Sequence, residues 1–205
     1  MPSPSKLFWG KHFWFIIHYL SLKLPIDAFF VLLHLLTFLL PCYECRGHLS
    51  DNIETLKSRK HKFGDAFAVG YELHRMVNHQ LHVHPANNPT LAQARNYYSS
   101  YGNALFDSEL IFVLRVICLK YDHHRQELER FVTLVEPLVS PTLRKVMKTY
   151  PLTNDYETES DLFFWAYKIG EEHSKLRLGD EATYPEILKF FKAGMSDDCD
   201  ACNLR

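Results

Sequence analysis

From Asp27 to Leu39 the chain is apolar on nearly every side, and prolines stand close to both ends, at Pro25 and Pro41. A helix without a polar face must be enclosed by protein, so this run demands a bundle of partners around it. With 47% hydrophobic residues in 205, the chain has the material for that enclosure. The apolar runs are interrupted by His18 and His34 and fall short of the roughly 20 residues that cross a bilayer, so no membrane span is expected. The first 25 residues lack the small-residue cleavage site of a secretory signal, and an intracellular location is the expectation. A formal net charge of −1 sets nucleic acid aside as a primary partner, because little counterion release would drive binding.

Helical spacing recurs along the chain. Trp14, Ile17, His18, Ser21 and Leu22 share one face of a helix over Lys11 to Leu22. Pro41 can open a third helix running to about Leu56, since proline's fixed φ suits a first turn. After the basic turn "SRKHKFGD", a fourth helix over Asp65 to Leu81 carries Phe67, Leu73, Val77 and Leu81 on its apolar side. In it His74 and Asn78, four apart, share a face. "HVHPANNPT" is a loop, and Thr90 caps a short helix to Tyr98. Composition shifts near "SSYGNA". Beyond it "LFDSELIFVLRVICLKYD" and "DLFFWAYKIGEEHSKLRL" are helical, punctuated by Pro137, Pro141, Pro151 and Pro185. No strand pattern or internal repeat is present. The expectation is an all-α chain: four helices and a short fifth over 1–101, a helical extension over 102–195, and a tail over 196–205.

The five cysteines fall as a pair (Cys42, Cys45), a single (Cys118) and a pair (Cys199, Cys202). A secreted disulfide scaffold would carry more, spread more evenly. Cys118 lies in the apolar "FVLRVICLKY" and reads as core. Cys42 and Cys45 belong to the first turn of the third helix, where the helix dipole lowers thiol pKa. Spacing leaves three readings open: a working dithiol, a zinc clamp completed by Cys199 and Cys202 or by His48 and His61, and inert core. His79, His82 and His84 read as surface residues.

The flanking residues carry more. Gly10, Trp14 and His18 in "WGKHFWFIIH", the Pro-Cys-x-x-Cys centre of "FFVLLHLLTFLLPCYECRGHL", and His74, Val77 and Asn78 in "LHRMVNHQL" stand in the order and register of three motifs. In these the chain resembles the ERV/ALR family of FAD-linked sulfhydryl oxidases. It departs from the family in having no cysteine between Cys45 and Cys118 and in placing Arg75 where asparagine is common. The missing cysteine staple and the helical extension resemble the viral members most.

The resemblance implies a four-helix bundle holding FAD, capped by a short fifth helix. It also implies an activity that oxidises a protein dithiol, reduces molecular oxygen to hydrogen peroxide, and is commonly exercised as a homodimer. Cys45 becomes the sulfur beside the flavin and Cys42 the outer one that exchanges with substrate. The cofactor set becomes Gly10, Lys11, Trp14 and His18 on the first helix, His48 on the third, His74, Val77, Asn78 and Leu81 on the fourth, and Tyr97, with Tyr98 as the alternative, on the fifth. Cys199 and Cys202, in a tail with Asp197, Asp198 and Asp200, fit a shuttle dithiol. The aspartates make its thiols harder to ionise and its disulfide the less oxidising of the two. A structural disulfide, a zinc half-site and an idle tail are the competing readings. The dimer surface is expected on the apolar first two helices.

Overall fold

Prolines set several of the borders in the computed structural model, which describes residues 4–120, 123–153, 155–177 and 183–195. Helix α1 (Pro4–Ser21) begins at a proline, earlier than the periodicity suggests. Pro25 precedes α2 (Ile26–Leu39), and Pro41 stands just before the cap of α3 (Tyr43–Ser58) rather than inside its first turn. The cap itself is Cys42, whose sulfur accepts the Cys45 backbone N–H at 3.3 Å. Asp65 caps α4 (Ala66–Gln80) through the Ala68 N–H, and Thr90 with Gln93 forms a capping box on α5 (Leu91–Ser99).

Then follow α6 (Asn103–Leu119), α7 (Arg125–Val135), α8 (Pro141–Thr149), α9 (Glu159–Arg177) and α10 (Tyr184–Met195). All regular structure among the described residues is helical, with no strand. As its composition demands, α2 is buried over most of its circumference, with Phe29, Leu32, Leu33, Leu35 and Leu36 at most 1% exposed, while Asp27, Val31 and His34 form an exposed strip. It packs on α3 and α7, while α1 packs on α4 and α6. Each such side chain removed from water stabilises the fold by about 1.5–3 kcal/mol.

The break at Gly102 does not divide the core. Buried apolar residues form one cluster from Trp9 to Met195. Tyr19 donates to Asn103 at 2.8 Å and stacks on Phe106 at 4.5 Å, while His12 bonds Glu109 and stacks on Phe112 at 3.7 Å. On the other side of α6, buried Asp107 faces His173 of α9 at 3.3 Å and accepts the Ser140 N–H. Parts of the apolar faces of α1 and α2 pack against α6, α7 and α10, while Val31 on α2 is 42% exposed. Among the described residues no helix is long and apolar enough to cross a membrane. Cys118 is fully buried, as its surroundings predict, and burial pushes its thiol pKa up.

Candidate functional site

Helix α4 sets the site. Tyr71, His74, Arg75 and Asn78 recur at i, i+3, i+4 and i+7, so they form one stripe, and that stripe is a wall of a cleft of about 640 Å³. His18 of α1 and Tyr97 and Tyr98 of α5 supply other walls. The remaining side is the segment after α4, held by three contacts. Asn78 donates to Asn88 at 2.6 Å, Tyr71 donates to the Pro89 carbonyl at 2.8 Å, and the Val83 N–H bonds the Asn78 carbonyl at 2.9 Å. The volume lies within the range of small-molecule and cofactor sites.

Aromatic rings cluster around His18 and His74. Trp14 lies behind the cleft, stacked on His74 with centroids 3.9 Å apart and planes 4° from parallel, and His18 stacks on Tyr98 at 4.4 Å. The two imidazoles meet at 2.9 Å, His18 Nε2 to His74 Nδ1, so one ring donates and the other accepts. Burial and the neighbouring imidazole hold His18 down at about 3, and burial holds His74 at about 4. Both rings are therefore neutral at physiological pH. Burial also pushes the Tyr98 hydroxyl up to about 12. His18 Nδ1 is buried without a hydrogen-bond partner, and such a group is costly unless a ligand or water satisfies it.

Cys42 and Cys45 form a disulfide across the first turn of α3, with Cα atoms 5.2 Å apart. Cys42 is 4% exposed and Cys45 is half-buried. Neither cysteine lines the cleft. Helices α3 and α4 form a hairpin joined by a short basic turn, fastened by the reciprocal amide bonds of Asn52 and Gln80 at 3.3 and 3.1 Å. Cys45 lies two helical turns, about 10 Å, before Asn52 along α3, so the disulfide is set apart from the Asn52–Gln80 pairing.

Of the residues assigned by the resemblance, the cleft thus gathers His18, His74, Asn78 and Tyr97, with Trp14 behind His74 and Tyr98 beside His18. It does not gather Gly10 or Val77, nor Lys11 and His48, which are exposed. Leu81 is 58% exposed, because α4 ends at Gln80 and Leu81 is already the C-cap, where helical periodicity no longer applies. Cys199 and Cys202 lie outside the described residues. Tyr71 was legible as the i−3 neighbour of His74, whereas Asn88 and Pro89 reach the cleft only through the fold of the loop. His79, His82 and His84 are exposed, as expected, and no cluster of three or more metal-ligating side chains occurs among the described residues. No protein-family model, curated protein or solved structure matches the chain.

Proposed function

We propose that the chain is an FAD-dependent sulfhydryl oxidase that introduces disulfides into protein substrates. The observation that carries this reading is the Cys42–Cys45 disulfide at the N-terminus of α3, where the helix dipole favours a thiolate. The cleft supports it. Neutral imidazoles, stacked aromatic rings and the unpartnered Nδ1 of His18 suit a planar aromatic group bearing hydrogen-bonding edges. Residues His18, His74, Asn78, Tyr97 and Tyr98 would hold one end of the cofactor. For the reading to hold, the Cys42–Cys45 pair would have to be within reach of the bound cofactor, although neither cysteine lines the cleft.

A substrate thiolate attacks one sulfur of the Cys42–Cys45 pair. The S–S bond breaks, a mixed disulfide forms, and the other cysteine leaves as thiolate. The substrate's second thiolate then displaces the first cysteine, leaving an oxidised substrate and a reduced Cys42/Cys45 dithiol that carries two electrons. FAD, when bound, would supply the two-electron acceptor for that dithiol and the route by which molecular oxygen is reduced to hydrogen peroxide. A small dithiol reacts this way directly; with a protein substrate the Cys199–Cys202 disulfide undergoes the same two exchanges first, and its reduced dithiol then reduces Cys42–Cys45.

Oxygen consumption with a small dithiol and with a reduced protein tests this. Cys45→Ser abolishes both rates, and turnover retained in that variant removes the pair from the mechanism. Cys199→Ser slows the protein substrate while the small dithiol keeps its rate; equal rates on both refute the relay. Stoichiometric zinc bound by both cysteine pairs in a colourless, inactive protein would instead establish a helical adaptor.

A further inference from the structure

The cleft does not end at the imidazoles. A second hollow of about 210 Å³ shares Tyr71, Arg75, Asn88 and Pro89 with it and adds His79 and Thr90. Arg75 therefore stands in the wall common to both. Neither hollow has a carboxylate among its lining residues, and with His18 and His74 neutral, Arg75 is the one permanent charge in the combined wall. Glu72 accepts from Arg75 Nη1 at 2.8 Å, a contact that uses one of the guanidinium's five N–H groups and steadies the side chain from outside the lining. Lys11, which the resemblance assigns to a phosphate, is exposed on α1 and lines neither hollow.

We propose that the two hollows are one bipartite site, an aromatic compartment and a cationic annex, and that Arg75 selects ligands whose aromatic base carries a phosphate or pyrophosphate. The chemistry is that of a nucleoside diphosphate, free or as half of a dinucleotide. A planar fork of donors suits phosphate oxygens; the Glu72 carboxylate already paired with Nη1 offsets part of the charge, and the guanidinium's remaining N–H groups are what a phosphate would engage. Arginine thereby acquires a use at the position where the resembling family commonly has asparagine. The inference rests on the reading of the cleft as a cofactor site and adds the residue that recognises the anion.

The test titrates the full chain, freed of bound small molecules, with adenosine, ADP and FAD, for wild type, Arg75→Gln and Arg75→Lys, with helicity checked by circular dichroism. Wild type is expected to bind ADP more tightly than adenosine. Arg75→Gln should weaken ADP and FAD about tenfold while adenosine changes less than about twofold, as expected for losing a charge-assisted contact at a half-exposed side chain. Arg75→Lys should recover part of the loss. Equal loss for adenosine and ADP, no loss for either, or no ADP binding overturns the proposal. ADP showing this pattern while FAD does not bind leaves the annex standing and removes the flavin. FAD binding that ignores Arg75 does the opposite.

Discussion

The sulfur of Cys42 has two partners, the Cys45 sulfur and the Cys45 backbone N–H, so one side chain both closes the disulfide and caps α3. Substitution separates these duties. Cys42→Ser and Cys42→Ala both lose the disulfide, but serine keeps a capping oxygen, and the serine variant should be the more stable by about 1 kcal/mol in urea unfolding. Equal stabilities would deny the cap. The imidazole pair makes a pH prediction. His18 and His74 have native pKa values near 3 and 4, below the ordinary 6.5. The unfolded chain therefore takes up protons in that interval that the native chain refuses. The stability from keeping both rings neutral is complete above pH 6.5 and is lost as pH falls toward 4 and then 3, by up to about 1.4 kcal/mol per pH unit for each ring. Urea midpoints between pH 7 and 5 should fall accordingly, and the slope should flatten in His18→Asn; a flat wild-type profile contradicts the burial of the pair. His74 and Asn78 were legible in the sequence because a four-residue spacing fixes a shared face. The bond between His18 and His74 was not, because it depends on how α1 crosses α4.

The end of α4 shows what an element can hide from its own sequence. Periodicity carries the helix to Leu81, but the chain turns at His82 with φ 56°, in the left-handed region. The His82 N–H bonds the His79 carbonyl at 3.1 Å and the Val83 N–H the Asn78 carbonyl at 2.9 Å, the two bonds of a Schellman ending. Glycine is the usual residue there, and histidine gives no stop signal, so the border and the exposure of Leu81 could not be read in advance. His82→Gly should stabilise the chain by about 1 kcal/mol, the strain of a left-handed non-glycine residue less glycine's added freedom when unfolded. Thermal denaturation measures it, and destabilisation would mean that the histidine side chain holds the turn. By contrast, the start of α4 at Asp65 and of α5 at Thr90 followed from capping side chains three residues ahead of the N–H they bind.

Across the whole molecule, an apolar helix over Asp27–Leu39 already required a surrounding bundle, and the all-helical character of both halves followed from spacing and prolines. The partners of that helix did not follow. Nothing local says that α7 covers α2, or that α6 returns to α1 through Tyr19–Asn103 and His12–Glu109, so one core joins segments far apart in the chain. The same long-range packing aligns α1, α4 and α5 around the cleft, while the disulfide stands outside its lining, in the first turn of α3. The proposed chemistry depends on communication between those two places. The visible spectrum of the purified full chain under anaerobic conditions tests that most directly. A yellow protein is expected, whose flavin band bleaches when a dithiol is added, returns on admitting oxygen, and does not bleach in Cys45→Ser. A colourless protein that takes up no FAD, or a bound flavin that no dithiol reduces, contradicts it.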